Sequence, residues 1–274
     1  MRQLARHRTL VILGTVMLVG LGILAGPARA QVNPLWDHYK VYLGLSPQIT
    51  LPPAVQVTLQ DQFQQTTWFV RQTGMFANPV QKEHGGSIFP INHPELHYTW
   101  WHSGRVPGPF TTAVIAINQF GDQTIQVGSS PFGDSEFLLN PSLKNAPAGT
   151  PLPVANHYWC YPCSGSPVNV SLILSDQFLT RPALVGVPRF FCTPAEKRLA
   201  DGTVYPIVDA AQHYTVYDMD FNNTAFTARV SDQFITDQLF NFILIDRLLM
   251  VPTRKELPTE TKSTTWGRVK SMYR

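Results

Sequence analysis

The chain has 274 residues, 14 % of them charged, and a formal net charge of +3. Four of its 21 lysines and arginines (Arg2, Arg6, Arg8 and Arg29) fall in the first 30 residues, which hold no acid, so 17 bases face 18 acids in the remainder. That balance excludes the basic footprint of a nucleic-acid binder, or of a protein drawn to an anionic membrane surface.

Residues 1–30 read as an export signal. Arg2, Arg6 and Arg8 precede an apolar run over 11–26, and Pro27-Ala28-Arg29-Ala30 gives a small-x-small end before Gln31. The run is shorter than the roughly 20 residues that cross a bilayer. The expectation is a chain cleaved before Gln31, secreted or held in the periplasm or at the cell surface, with no membrane insertion of the mature part. Its 23 prolines, 16 phenylalanines and few helix-forming stretches predict an all-β fold.

From residue 38 onward the same landmarks recur in the same order. His-Tyr with an aromatic at the fifth position occurs at His38-Tyr39…Tyr42, His97-Tyr98…Trp101, His157-Tyr158…Tyr161 and His213-Tyr214…Tyr217, spaced 59, 60 and 56 residues apart. Asp-Gln-Phe follows each time, at Asp61, Asn118, Asp176 and Asp232, with Asn replacing Asp once. Each segment closes on Pro-x-x-Lys, at Pro79/Lys82, Pro141/Lys144, Pro194/Lys197 and Pro252/Lys255. The reading is four tandem antiparallel β units of about 57 residues, forming barrel- or sandwich-like domains.

Ahead of each Asp-Gln-Phe, apolar residues alternate with polar ones, as in Val55, Val57, Leu59 against Gln56, Thr58, Gln60, which predicts half-buried strands. Aromatic strands are expected at His-Tyr, and further strands ahead of Pro-x-x-Lys, for example over 185–192 and 240–250. Pro- and Gly-containing connectors lie at 83–96, 145–156 and 198–212. The predicted organisation is a signal at 1–30, units one and two over 31–144, a linker at 145–156, units three and four over 157–255, and a loose tail at 256–274 anchored by Trp266. A unit this small cannot bury both faces of its own sheet, so neighbours must pack together.

Cysteine carries the most informative chemistry. Cys160 and Cys192 replace Val41 and Ala77 of the first unit, Trp100 and Leu139 of the second, and Val216 and Met250 of the fourth. The two arrive together, which in an exported protein favours a Cys160–Cys192 disulfide. Cys160-Tyr161-Pro162-Cys163 also has Cys-x-x-Cys spacing, so a redox pair, or a metal seeded by His157, Cys160 and Cys163, are the other readings.

A catalytic histidine stands alone in its site, whereas His38, His97, His157 and His213 recur. They are expected to donate hydrogen bonds that fix strand ends, and Asp61, Asn118, Asp176 and Asp232 to accept turn amides. The presence of Asn118 suggests that the acceptor oxygen matters and the charge does not. An alternative metal site gathers His93, Glu95 and His97, which an extended strand would place on one face, with His102 nearby. No nucleophile motif, phosphate loop or dinucleotide fingerprint occurs, so no catalytic residues are assigned and no cofactor is expected.

His157-Tyr-Trp-Cys160-Tyr161, residues 170–178 and Cys192-Thr-Pro194-Ala-Glu-Lys197 resemble a repeat of secreted bacterial proteins of unknown function. That repeat runs His-hydrophobic-x-Cys-Tyr, Thr-Leu-x-Asp-Gln-Phe, Leu-Cys-x-Pro-x-x-Lys. The resemblance implies an exported β-repeat module and supports the Cys160–Cys192 pairing. It brings no activity. The expected role is a structural or binding module outside the cytoplasm, with a protein or glycan ligand; a metal-dependent enzyme or metal-binding protein is the alternative.

Overall fold

Alternating apolar and polar residues, interrupted by prolines, leave this chain mainly extended structure to form. Every helix or strand in the described part of the computed structural model is indeed a strand. Described are residues 32–43, 45–46, 49–102 and 110–258; the expected signal, Gln31 and Trp266 lie outside them. The strands are β1 (His38–Leu43), β2 (Leu45–Ser46), β3 (Thr50–Gln60), β4 (Gln65–His84), β5 (Ser87–Phe89), β6 (His97–His102), β7 (Thr112–Asn118) and β8 (Gly121–Val127). They continue with β9 (Phe137–Lys144), β10 (His157–Ser164), β11 (Val170–Ser175), β12 (Thr180–Leu199), β13 (Val204–Tyr205), β14 (His213–Ser231) and β15 (Gln238–Glu256).

The eight strands bearing His-Tyr or Pro-x-x-Lys close on themselves. β1 pairs with β4, β4 with β6, β6 with β9, β9 with β10, β10 with β12, β12 with β14 and β14 with β15, which returns to β1. All pairings are antiparallel, so the arrangement is a closed barrel with no free edge in the ring.

The register repeats around the ring. Tyr39, Tyr98, Tyr158 and Tyr214 stand opposite Pro79, Pro141, Pro194 and Pro252. On its other side each tyrosine faces the residue two before a proline, namely Met250, Ala77, Leu139 and Cys192, and there that ladder ends. Each proline therefore sits just past the end of one ladder, where a residue with no N–H is tolerated.

The barrel is filled by side chains. The four tyrosines are at most 1 % exposed and touch edge-to-face in a closed circuit, with ring centroids 5.2 Å (Tyr39–Tyr98), 5.5 Å (Tyr98–Tyr158), 5.2 Å (Tyr158–Tyr214) and 5.9 Å (Tyr214–Tyr39) apart. The next residues inward are cross-strand partners: Val41 with Ala77, Trp100 with Leu139, Cys160 with Cys192 and Val216 with Met250. The cysteines that replace these partners form a disulfide inside the barrel, with Cα atoms 3.9 Å apart.

Beyond each His-Tyr strand the chain leaves the ring as a hairpin that reaches another strand's end. Strand β3 pairs with the end of β12 (Leu59↔Lys197) and β11 with β4 (Leu174↔Lys82); β14 pairs with β9 (Val230↔Lys144) and β7 with β15 (Ala116↔Lys255). The first and third segments thus exchange hairpins, as do the second and fourth. Each Pro-x-x-Lys lysine faces the residue two before an Asp-Gln-Phe or Asn-Gln-Phe. The hairpins lay Val57, Leu59, Val114, Ala116, Ala228 and Val230 into an outer core that also holds Tyr42, Trp101 and Trp159. The described residues from 32 onward form one compact body. Residues 145–156 run without a strand between β9 and β10, which pair directly.

Candidate functional site

Interlocked hairpins bring the three recurrent motifs together, and they meet in the same way at four places on the barrel's outer surface. At each, an Asp or Asn bonds the fifth-position aromatic from two segments away. Tyr161 Oη donates to Asp61 Oδ2 at 2.9 Å, Trp101 Nε1 donates to Asp232 Oδ2 at 2.7 Å, and Tyr42 Oη donates to Asp176. At the fourth, Asn118 Nδ2 donates to Tyr217 Oη at 2.9 Å, and that hydroxyl donates onward to Gln123 Oε1 at 2.7 Å.

The phenylalanine of each motif packs edge-to-face on the same aromatic. The pairs are Phe63–Tyr161, Phe120–Tyr217, Phe178–Tyr42 and Phe234–Trp101, with centroids 5.3 to 6.1 Å apart. Above these rings lie the lysine amines of the preceding segment: Lys255 over Phe63, Lys82 over Phe120, Lys144 over Phe178 and Lys197 over Phe234, all 4.8 to 4.9 Å from the centroid. An amine over a ring face gains from the ring's quadrupole.

The glutamines complete three of the joints with histidine. Gln62 bonds His213 at 2.8 Å, Gln233 bonds His157 at 3.0 Å, and Gln119 bonds His38. Gln177 instead donates to Asn78 Oδ1 at 2.9 Å, and His97 Nε2 has no hydrogen-bond partner among the described residues. His97 and His213 bond the carbonyls of Glu95 and Ala211 through Nδ1, each at 3.0 Å. A carbonyl only accepts, so Nδ1 carries the proton in both rings.

Burial decides protonation here. Desolvation holds His97 down to about 3 and His213 to about 4, and His38 and His157 well below the usual imidazole value, so all four are neutral in the fold. Loss of water likewise lowers Lys82 to about 6, Lys197 to about 7 and Lys144 to about 8. It raises the carboxyls of Asp61 and Asp232. Neutral imidazoles in hydrogen-bonded, apolar joints are suited to holding strands together.

The Asp position opens a turn in all four. One side-chain oxygen accepts backbone amides just ahead: Asp61 from Phe63 and Gln64, Asp176 from Phe178 and Leu179, Asp232 from Phe234 and Ile235, and Asn118 from Phe120. The second atom does what the sequence alone did not reveal. It accepts where the residue is Asp and donates where it is Asn, so Asn118 reverses the direction of its bond to Tyr217. The residue before each proline is a further participant: Asn140 accepts Lys197 Nζ at 2.8 Å, Asn78 accepts Lys144, and Thr193 donates to Asp61. Comparing that position across the segments (Asn78, Asn140, Thr193, Val251) would have flagged it.

The histidines of the alternative metal site part company. Residues 93–96 form a turn closed by Leu96 N to His93 O at 3.1 Å, so the shared face of an extended strand does not arise. His93 pairs with Asp37 at 2.9 Å, His97 stacks on Phe76, and His102 packs on Phe137 at 4.4 Å. His97 and His102 are five residues apart on β6, hence on opposite faces. Among the described residues no group of three His, Cys, Asp or Glu side chains is placed to hold a metal. Cys163 is a buried free thiol in the outer core, its pKa raised by desolvation, while Cys160 turns inward to Cys192. Cys-x-x-Cys is therefore split between two faces of β10.

Fold and joints together define an all-β repeat barrel whose recurrent polar residues meet one another between strands. A family model described as a repeat of unknown function (DUF7450) matches residues 130–243, less than half the chain. No curated protein and no solved structure matches.

Proposed function

We propose that the protein is an exported structural or binding module working outside the cytoplasm. What carries the reading is the engagement of the recurrent residues. The joints absorb the Asp-Gln-Phe motifs, the Pro-x-x-Lys lysines and the repeated histidines into contacts between strands, and the barrel interior is occupied by tyrosines and by a disulfide. A disulfide fits an oxidising compartment. The similarity of residues 130–243 to a repeat of unknown function is consistent with this reading and adds no activity. Expression of the full chain, followed by N-terminal sequencing of the exported product, should give Gln31 as the first residue. Retention of an intact residue 1–30 segment in the cytoplasmic fraction would overturn the export reading. Elemental analysis of the purified protein should show no stoichiometric zinc or iron; a metal lost on His93→Ala would favour the alternative.

A further inference from the structure

Three buried polar groups of one joint are arranged for chemistry that scaffolding does not require. Lys197, on β12, and Asn140, on β9, are both 0 % exposed, and Lys197 Nζ lies 2.8 Å from Asn140 Oδ1. The amide nitrogen of Asn140 donates to Asp232 Oδ2 at 3.5 Å. Asp232 is itself buried and fixed by Trp101 Nε1 at 2.7 Å and by the amides of Phe234 and Ile235. The rings of Phe234 and Tyr205 wall the amine, 4.8 and 4.9 Å from Nζ. A nucleophile thus stands at a carboxamide carbonyl, with a carboxyl group at the leaving nitrogen; Asn140 and Lys197 are held by strand ladders and Asp232 by the turn after β14.

We propose that Lys197 and Asn140 join spontaneously in an isopeptide bond, with Asp232 as the proton carrier. The Nζ lone pair attacks Asn140 Cγ, forming the Nζ–Cγ bond and pushing the carbonyl pair onto Oδ1. The Asp232 carboxyl, at the amide nitrogen, gives its proton to Nδ2 and takes one from the attacking Nζ. Return of the oxyanion pair re-forms the carbonyl and breaks the Cγ–Nδ2 bond, expelling one ammonia and leaving Asp232 protonated as it began. No oxidant, reductant or cofactor enters.

Burial favours the reactive protonation states. It lowers Lys197 to about 7, toward the neutral amine, and raises Asp232, toward the neutral acid.

The other three joints lack an essential part. Thr193 and Val251 stand where Asn140 does and carry no carboxamide. Asn78 meets Lys144, but its amide nitrogen donates to Pro79 O at 3.1 Å, and Asp176 is engaged by Tyr42 and by Lys40 at 3.3 Å. One bond is therefore expected, tying β9 to the strand that carries Cys192.

The test is mass spectrometry of the purified full-length product after reduction and denaturation. The expected mass is lower than the sequence mass by one ammonia, about 17 Da. A tryptic digest should contain one branched peptide joining Asn140 to Lys197, uncut after Lys197. That peptide also separates the bond from cyclised N-terminal glutamine, which loses the same mass. Asp232→Asn and Lys197→Arg proteins that still melt cooperatively should yield only linear peptides. Recovery of Asn140 and Lys197 from the wild type in separate linear peptides would overturn the proposal, whether or not the variants fold.

Discussion

Lys82 isolates the cost of burying an amine in one of these joints. It is 0 % exposed, and its Nζ has no hydrogen-bond partner among the described residues, because Val251 occupies the position from which Asn78 and Asn140 serve the corresponding lysines. Its amine meets the rings of Phe89 and Phe120, 4.4 and 4.8 Å from their centroids. Desolvation lowers its pKa from 10.5 to about 6, which corresponds to about 6 kcal/mol. The ring faces attract only the cation, so they return little to an amine that the fold keeps neutral above that pH. Between pH 6 and 10.5 the unfolded chain binds a proton that the fold refuses, so wild-type stability rises with pH across that window and is flat, for this group, below it. Lys82→Met keeps the volume and removes the titration. In urea unfolding the variant should be more stable by up to about 6 kcal/mol near pH 6, with the difference closing toward pH 10.5. A variant less stable than wild type, or a difference independent of pH, would refute the reasoning.

Other consequences concern the disulfide, the histidines and Asn118. Cys160→Val with Cys192→Ala restores the pair found at Val41 and Ala77; calorimetry should show a folded protein weakened by about 3 to 4 kcal/mol, and no loss would mean that the bridge restrains nothing. Because His97 and His213 stay neutral in the fold to about 3 and about 4, the unfolded chain gains protons first as pH falls below 6.5 and stability drops. His213→Gln should therefore reduce the slope of stability against pH between 6.5 and 5 by up to about 1.4 kcal/mol per pH unit; an unchanged slope would place His213 in water. Asn118→Asp puts an acceptor where an amide donates to Tyr217, so that hydroxyl must turn from Gln123 to bond it. A cost of roughly 1 to 2 kcal/mol in chemical denaturation is expected, and a stabilised variant would contradict the reversed bond.

The sequence carried the strand faces and the cysteine pairing. Alternation located Val57, Leu59, Val230 and their counterparts in the core, and paired replacement of Cys160 and Cys192 matched residues that are direct cross-strand neighbours. Barrel closure was not legible, because period-two patterning says which side chains share a face and not which strand lies alongside. The joints were hidden for a related reason. Asp61 meets Tyr161 across 100 residues, and Lys255 meets Gln62 across 193, so only the exchange of hairpins brings the motifs together. The His93, Glu95, His97 grouping failed locally, since Pro94 favours the turn that ends at β6.

The claim that Asp-Gln-Phe acts across segments is tested most directly by a double-mutant cycle between Asp61 and Tyr161. Tyr161→Phe removes only the hydroxyl that donates to Asp61 at 2.9 Å, and Asp61→Ala removes its acceptor. Urea unfolding of the two single variants, the double variant and wild type should give a coupling of roughly 1 to 3 kcal/mol. A cycle of Asp61→Ala with Tyr42→Phe, the aromatic of the same segment, should give a coupling near zero. The opposite result, with Asp61 coupled to Tyr42 and independent of Tyr161, would contradict the exchange of hairpins on which the barrel rests.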